Sequence, residues 1–310
     1  MSHPNIVVVG STNMDMVVNA ARIPAPGETI LAENFFMNPG GKGANQAVAV
    51  ARLGGSVLFV TKVGNDVFGH QSSLLFDEEG IITKYVLSDN DHPSGVALIT
   101  VDSKGENSIV VASGANSYLN REDLTDDLLS ELESAKILLM QLETPLDVVF
   151  FLAEYAFRKG IKVILNPAPM TSLPDGLMKC LYLITPNETE AEILTSIKIK
   201  NIEDAKSAAI CISEMGCENV VITLSSKGAL IYENNSFHVV NGQVVKAIDT
   251  TAAGDVFNGA LTVALSEGKS LKIAVEFACL ASSISVTRIG AQSSIPYRGE
   301  VISAQLIKHK

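Results

Sequence analysis

The chain has 310 residues, of which 47% are hydrophobic and 18% are charged, so it can bury a large core in one domain. Its net charge of −11 argues against non-specific nucleic-acid binding, which depends on basic surfaces. No apolar run approaches the roughly 20 residues of a membrane-spanning helix. The residues before the first apolar run, 5–9, lack the basic start of an export signal. We expect a cytoplasmic protein that binds neither nucleic acid nor a membrane.

Short apolar runs alternate with helical stretches along most of the chain. This alternation is typical of βαβ units and predicts an α/β fold with a doubly wound, mostly parallel sheet flanked by helices. Ligands of such sheets bind beyond the carboxyl ends of the strands. The predicted strands are 5–9, 57–60, 137–140, 161–165, 182–184 and 220–224, and the predicted helices are 67–79, 145–159, 187–194 and 203–215.

Two stretches, 16–36 and 95–112, read as strands without intervening helices. We expect a hairpin that turns at 103–105 and a small sheet whose strands come from about 14–38 and 94–112. Such a sheet serves as a lid over the cleft, as an association surface, or as both. No repeat or linker divides the chain, so residues 1–310 are predicted to form a single domain with this lid.

Asn13 and Asp15 follow the first predicted strand. Because side chains two residues apart face the same side of an extended segment, both can point into one site. Asn and Asp are also common in turns for local reasons, so turn chemistry explains the pair equally well.

A glycine-rich stretch, 40–47 (GGKGANQA), precedes a run of small apolar residues. Glycines let the backbone approach a ligand closely, and Lys42 and Asn45 supply polar groups near a helix start. The spacing of a phosphate-binding Walker A loop is absent, because Phe36 stands where that motif needs its first glycine. A plain glycine-rich loop remains the alternative interpretation.

Near the C-terminus, 249–260 (DTTAAGDVFNGA) carries small residues that lead into an apolar helical segment. Free N–H groups and the helix dipole make such a start an anion site. Asp255 within it can take a proton from a hydroxyl that attacks a bound phosphoryl group. The stretch therefore suggests phosphoryl transfer to an alcohol, and the alternative is that Asp255 only caps the helix.

Four motifs, GSTNMD (10–15), GGKGANQA (40–47), TPNETE (185–190) and DTTAAGDVFNG (249–259), occur in this order. Together they resemble the ribokinase branch of the PfkB carbohydrate kinase family, and the similarity continues to TRIGAQ at 287–292. The resemblance implies ATP-dependent phosphorylation of D-ribose at its 5-hydroxyl, with Mg²⁺, activating K⁺ and a homodimer joined through the lid. Two alternatives stay open: a kinase for another small sugar or nucleoside, such as 2-deoxyribose or adenosine, and a non-catalytic sugar-binding protein. Asn13 favours ribose over 2-deoxyribose.

The resemblance also assigns roles to residues of this chain. It makes Asp255 the catalytic base, with an anion hole formed by the N–H groups of Ala252, Ala253 and Gly254. The matching ribose-binding positions are Asn13, Asp15, Gly41, Lys42, Asn45, Glu143 and Asp255.

Further positions match the sites for the nucleotide and the two cations. Glu190, in an Asn-x-x-Glu element, is implied to organise Mg²⁺ through water. Ser225 stands where many members of this branch have glycine, which bears on how closely the backbone approaches the nucleotide. The nucleotide positions are Asn187, Thr223, Ser225, Ser226, Lys227, Gly228, Gly254 and Cys279. The potassium positions are Asp249, Thr251, Ser285, Arg288, Gly290 and Ser294.

Overall fold

A computed structural model describes residues 4–308 of the chain, so residues 1–3 and 309–310 of the predicted domain lie outside the described part. Thirteen strands, β1–β13, occur within these residues. In chain order they are Ile6–Val9, Asn13–Asn19, Asn34–Gly40, Val57–Gly64, Ile82–Asp89, Gly95–Val101, Asn107–Ala112, Ile137–Met140, Lys162–Leu165, Leu183–Ile184, Asn219–Thr223, Gly228–Glu233 and Ser236–Asn241.

Nine α-helices, α1–α9, fall in the same described part of the chain. None of them is long and apolar enough to cross a membrane. In chain order the helices are Lys42–Arg52, Val67–Glu78, Asp126–Glu133, Leu146–Arg158, Glu188–Thr195, Ile202–Glu214, Ala253–Ser266, Leu271–Ser285 and Arg298–Lys308.

The main sheet has the order β13-β12-β11-β10-β9-β8-β1-β4-β5. The seven strands β11, β10, β9, β8, β1, β4 and β5 are parallel to one another. At the other edge, β12 pairs antiparallel with β11, and β13 pairs antiparallel with β12. The central strand β1 reads IVVV and is buried throughout, as expected for a sheet with helices on both faces. The predicted doubly wound, mostly parallel sheet is therefore confirmed.

Alternation along β1 divides the core into two layers. Val7 and Val9 belong to the cluster that packs against α3, α4 and α6, whereas Ile6 and Val8 belong to the cluster that packs against α1, α7 and α8. The helices α1 and α7 touch closely, because a Cβ on Gly259 would lie 2.5 Å from the Cβ of Ala49. This contact fixes two helices whose N-termini lie in the same cleft.

A second sheet has the order β3-β2-β6-β7, with β2 and β6 parallel and the outer pairs antiparallel. It confirms the small sheet predicted from about 14–38 and 94–112. The hairpin between β6 and β7 turns at Gly105, whose φ of +82° suits glycine. Every residue of β7 is exposed.

Some boundaries differ from those predicted. The strands β5, β12 and β13 were missed: β5 (ITKYVLSD) and β13 (SFHVVN) mix polar with apolar residues, as edge strands do, and β12 follows directly on a loop rather than on a helix. The helix α1 begins at Lys42, so it includes most of the glycine-rich motif. The helix α7 begins at Ala253, before the apolar run at 257–265.

Candidate active site

The N-terminus of α1 lies against the end of β1 because glycines leave room for it. A Cβ on Gly41, whose φ is +91°, would lie 2.7 Å from the backbone nitrogen of Asn13, and one on Gly43 would lie 2.5 Å from the carbonyl carbon of Gly10. The close approach brings Lys42 beside the loop after β8. There the backbone N–H of Lys42 donates to Glu143 Oε2 at 3.1 Å, and its Nζ lies 4.0 Å from Glu143 Oε1.

Asp255, in the first turn of α7, is only 7% exposed. Asn45 Nδ2 donates to its Oδ2 at 2.9 Å, and Gln46 Nε2 donates to its Oδ1 at 2.9 Å. Burial raises the pKa of Asp255, and the charge of Lys42 and the two amide donors oppose that rise. The carboxylate is thus held by α1 with both oxygens oriented, which goes beyond what capping its own helix requires.

Several residues without an assigned role support this carboxylate. Gln46 Oε1 accepts from Gln141 Nε2 at 2.6 Å, while its Nε2 also donates to Asn166 Oδ1 at 3.1 Å. Asn258 accepts from Thr185 Oγ1 at 2.6 Å. Gln46 was visible in the sequence as an amide among small apolar residues, but no local signal identified Asn258 or Thr185.

Asn13 and Asp15 both lie on β2, on the side of the site. Asn13 Oδ1 accepts from Asn116 Nδ2 at 2.9 Å, and Asn116 Oδ1 accepts from the backbone N–H of Thr12 at 2.8 Å. Asp15 packs against Gly40, where a Cβ would lie 2.3 Å from Asp15 Oδ2. Sequence reasoning missed Asn116, because it lies in the loop after β7.

Four carboxylates surround the one ammonium group of Lys42. Burial lowers the pKa of Lys42 more than any other single influence, but attraction to Asp255, Glu143, Glu190 and Asp15 raises it overall. Burial, together with the charges of Glu143 and Asp255, raises the pKa of Asp15 to about 6, against the opposing charge of Lys42. The site is therefore an acidic cluster that Lys42 only partly neutralises.

The N-terminus of α7 presents backbone donors to the cleft. Ala252 precedes the helix with a φ of +58°. The N–H of Ala253 donates to the carbonyl of Thr250 at 3.2 Å, whereas those of Ala252 and Gly254 donate to no group within residues 4–308. A Cβ on Gly254 would meet no described atom within 4 Å, so packing does not require a glycine there.

Asn187 and Glu190 form a reciprocal cap at the start of α5. Asn187 Oδ1 accepts from the N–H of Glu190 at 2.8 Å, and Glu190 Oε2 accepts from the N–H of Asn187 at 2.8 Å. Burial raises the pKa of Glu190, against the effects of the Asn187 N–H and Lys42. Capping explains this pair locally, yet both residues also line the cleft.

Three cavities are lined by these groups. One of about 550 Å³ includes Asn13, Asn116 and Glu143; one of about 170 Å³ includes Lys42 and Asp255; and a third has about 480 Å³. The second and third share Asn187, Thr223, Thr250, Ala253 and Gly254. Of the predicted nucleotide residues, the third cavity is lined by Asn187, Thr223, Ser225, Ser226, Gly228, Gly254 and Cys279.

Lys227 is the predicted nucleotide residue that lies outside this lining. Its side chain is 70% exposed, and its Nζ lies 3.7 Å from Glu188 Oε1. Ser225, in the same turn, has a φ of +52°, a left-handed conformation that costs a residue with a side chain about 1 kcal/mol. The glycine common at this position in the related branch would adopt this conformation without that cost.

Asp249 organises the loop before α7. Its Oδ1 accepts from the N–H of Thr251 at 2.9 Å and from Thr251 Oγ1 at 2.6 Å, and its Oδ2 accepts from the N–H of Gly290 at 2.8 Å. Although burial opposes the change, these hydrogen bonds keep the pKa of Asp249 below its ordinary value. An ionised carboxylate thus joins the two segments that carry the predicted potassium ligands.

The other predicted potassium positions lie on the second segment. Arg288 pairs with Glu300, while the hydroxyls of Ser285 and Ser294 donate to the carbonyls of Ser282 at 2.9 Å and Ala291 at 2.8 Å. The carbonyls of Thr251, Arg288 and Gly290 accept no hydrogen bond from residues 4–308. Carbonyl oxygens and a carboxylate are the type of ligand that hard cations take, so the chemistry of this donor set is compatible with a bound cation.

The protein combines an α/β fold and a small second sheet with a buried carboxylate beside a helix start that has backbone donors unpaired within residues 4–308. Residues 3–298 match the family model described as pfkB family carbohydrate kinase, and the chain belongs to that family. It is an ATP-dependent carbohydrate kinase by that membership.

Individual relatives agree with the family match. The ribokinase of Haemophilus influenzae is 45% identical over 96% of this chain and 97% of its own length. The deoxyribokinase of Salmonella typhi is 37% identical over 94% of this chain and 95% of its own length. An Arabidopsis thaliana ribokinase structure, complexed with ribose and ATP, has a TM-score of 0.92 and 35% identity, covering 97% of this chain and 98% of that one.

The raised pKa of Asp15 predicts a cost to stability near neutral pH. A carboxyl whose pKa rises on folding stabilises the folded state only when protonated, so that contribution is lost as pH rises through about 6. Asp15→Asn should therefore raise the free energy of unfolding at pH 7.5 by about 1–3 kcal/mol, and by much less near pH 4.

Urea unfolding at both pH values measures this effect. The exposed Asp175 provides the control, and Asp175→Asn should change stability little at either pH. If Asp15→Asn changed the free energy of unfolding equally at pH 7.5 and pH 4, the raised pKa of Asp15 would be contradicted.

Proposed function

We propose that the protein transfers the γ-phosphoryl group of ATP to the 5-hydroxyl of D-ribose, giving ribose 5-phosphate. The observation that carries the proposal is the buried Asp255, oriented by Asn45 and Gln46 beside the open N-terminus of α7. A base next to backbone donors is what transfer of a phosphoryl group to an alcohol needs. We also propose a cytoplasmic location, where the phosphoryl donor ATP is available.

Asp255 is proposed to accept the proton of the attacking hydroxyl. Its raised pKa moves it toward the range in which a carboxylate is an effective base near neutral pH. The N–H groups of Ala252 and Gly254 are available for the anion, and Ala253 can join them by exchanging its hydrogen bond to Thr250. Lys42 adds a positive charge to the same cavity.

The sugar is proposed to lie between β2, the start of α1 and Glu143. Asn45 supports this location, because its Oδ1 is buried and accepts no hydrogen bond from residues 4–308. Since a buried acceptor without a partner is costly, a sugar hydroxyl is a fitting donor. Asp15 and Glu143 supply further acceptors, and Asn13 and Lys42 can donate. Gly41 contributes indirectly, because its missing Cβ lets the start of α1 lie against the backbone of Asn13.

The nucleotide is proposed to occupy the 480 Å³ cavity, which opens into the cavity of Asp255 through shared residues. Asn187 and Gly254 lie where the two cavities meet and would face the phosphates. Thr223, Ser225, Ser226, Gly228 and Cys279 line the cavity, and Lys227 stands at its rim, where a long side chain can reach phosphate oxygens.

Two cations complete the proposal. Among residues 4–308, no group of three His, Cys, Asp or Glu side chains is placed to hold a metal, so Mg²⁺ would depend on ATP oxygens, with Glu190 acting through water. Potassium would be held by the Asp249 loop and the carbonyls opposite it. When bound, it would supply fixed positive charge beside the anion hole, while Asp249 and Thr251 keep the loop ordered.

The substrate assay tests these assignments together. ATP consumption is measured with ribose, 2-deoxyribose, fructose and adenosine, in potassium buffer and in sodium buffer. Ribose should give the highest kcat/KM, and potassium should raise the rate. The 37% identical deoxyribokinase makes 2-deoxyribose the main rival. A higher kcat/KM with 2-deoxyribose or adenosine than with ribose would overturn the choice of substrate. Equal rates in the potassium and sodium buffers would refute the proposed activation by potassium.

The role of Asp255 predicts a separation of binding from turnover. Asp255→Asn should lower kcat by about 10²–10⁴-fold or more, because it removes the base and its charge. The binding of ribose and ATP, measured by calorimetry, should persist. Asp175→Asn is the matched control at an exposed position, and near wild-type kcat in Asp255→Asn would rule out the base.

Gly254 tests the anion site independently. Gly254→Ala should lower kcat by about 10²-fold, because a methyl group enters the space proposed for the phosphate and hinders a donor N–H. Stability should stay equal or rise slightly, since alanine favours a helix. Gly299→Ala in the first turn of α9, where a Cβ also meets no atom within 4 Å, should change neither property. A Gly254→Ala enzyme with the kcat of the wild type would refute the proposal that the anion binds at the start of α7.

A homodimer through the small sheet is also proposed. Paired residues make one row across its four strands, Met37, Met16, Leu98 and Val110. The neighbouring row contains Asp15 and Val111, which face the site, so the first row faces away from it. Three of its side chains, Met37, Leu98 and Val110, are 47%, 55% and 63% exposed. An exposed apolar row on a sheet with open edges is typical of an association surface.

Val110→Asp should convert the dimer to a single chain of 32.9 kDa in light-scattering chromatography, because it buries a charge in the interface. Val67→Asp, at an exposed valine on α2, should leave the mass unchanged. A wild-type protein that elutes as one chain at micromolar concentration would refute the dimer.

A further inference from the structure

Arg52, the last residue of α1, makes more polar contacts than chain packing at a helix end requires. Its side chain is 12% exposed. Its Nη1 donates to the carbonyl oxygens of Gln292 at 2.6 Å and Ile295 at 3.1 Å. Its Nε lies 3.0 Å from both carboxylate oxygens of Glu79, and its Cζ lies 5.0 Å from the centre of the Tyr297 ring.

The two carbonyls that Arg52 binds belong to the second of the two segments that carry the proposed potassium ligands, which together are called the potassium loop here. Gly290 precedes them, and Ser294 lies between them, in the 3₁₀ turn Gln292–Ser294. Asp249 holds the same segment from the opposite side through the N–H of Gly290. The segment is thus fixed at one end by Asp249 and at the other by Arg52.

The side chain of Gln292 strengthens this dependence on Arg52. Gln292 is 3% exposed, and neither of its side-chain polar atoms has a hydrogen-bond partner within residues 4–308. The Gln292 carbonyl accepts from the N–H of Ile295 at 3.3 Å within its own segment, and Arg52 provides its hydrogen bond to another part of the fold. Glu79 neutralises the guanidinium, so Arg52 binds these carbonyls without placing a net positive charge beside a cation site.

We propose that Arg52, oriented by Glu79, is a positioning residue that sets the affinity of the potassium loop for its cation. The inference rests on the proposed potassium site. The helix α1 has 11 residues and spans about 16 Å. It therefore links the loop at its C-terminal end to Lys42, Asn45 and Gln46, the groups around Asp255, at its N-terminal end.

Arg52→Lys tests the proposal, because lysine keeps the charge but has three donors on one nitrogen, whereas Arg52 uses three nitrogens to reach Glu79 and the two carbonyls. The potassium concentration for half-maximal activity should rise at least about tenfold, as expected when charge-assisted hydrogen bonds are lost. The kcat at saturating potassium and the KM for ribose should stay within about twofold of wild type. Glu79→Gln should shift the half-activation concentration in the same direction by less, and it serves if Arg52→Lys does not fold.

A second measurement does not depend on activity. The melting temperature is recorded as potassium replaces sodium at constant ionic strength, and the midpoint of its rise should shift in Arg52→Lys as the half-activation concentration does. Arg298 supplies the matched control: it also ties the end of α1 to the C-terminal region, donating to the carbonyl of Leu53 at 2.9 Å and to Glu267. Arg298→Lys should lower the melting temperature without moving the potassium midpoint.

The outcomes separate the two levels of the proposal. A potassium midpoint unchanged in both Arg52→Lys and Glu79→Gln, or moved equally in Arg298→Lys, overturns the role of Arg52 alone. Kinase activity and a melting temperature that do not respond to potassium in the wild type overturn the potassium site and this inference together. A wild-type protein that does not phosphorylate ribose would instead refute the proposed function.

Discussion

The burial of the Asp255 carboxylate is the constraint around which the site is arranged. A charge taken out of water must be met by hydrogen bonds and an opposite charge, or it takes up a proton. Here Asn45 and Gln46 supply the hydrogen bonds and Lys42 the charge, all from the first turns of α1. These donors reach Asp255 because α1 and α7 pack closely at Gly259, where a Cβ would lie 2.5 Å from the Cβ of Ala49. The close packing of α1 and α7 is therefore also what allows the Asp255 carboxylate to be hydrogen-bonded in a buried position.

Three helix starts lie around one cavity, those of α1, α5 and α7. Each start leaves backbone N–H groups without partners in its own helix, and each presents partial positive charge. In α5, the side chains of Asn187 and Glu190 satisfy two of these groups. In α7, Gly254 leaves its N–H open to the cleft. This difference is the reason that the anion is proposed to bind at α7, whereas the carboxylate of Glu190 at α5 is proposed to act on a hydrated cation.

The sequence allowed the central sheet and the small sheet to be predicted, because their strands are short apolar runs. It also pointed to residues that the fold brings to one cavity, because glycine-rich helix starts are contiguous motifs. It did not indicate contacts between distant single residues. Asn116 meets Asn13 across 103 positions, and Arg52 meets Gln292 across 240 positions. A single Asn or Arg belongs to no periodic pattern or motif from which its contact with a distant residue could be predicted. The strand β5 was missed for a related reason: at the edge of a sheet, polar and apolar residues mix and the pattern weakens.

The acidic cluster around Lys42 has an energetic consequence for binding. Asp15, Glu143, Glu190 and Asp255 repel one another, and the raised pKa of Asp15 records part of that cost. A fold selected only for stability would replace one of these carboxylates by a neutral residue. Ligands that bring hydroxyl donors or cations to the cluster relieve the repulsion, and this relief adds to their binding free energy. The mutual repulsion of these four carboxylates therefore favours ligands that carry hydroxyl donors or cations.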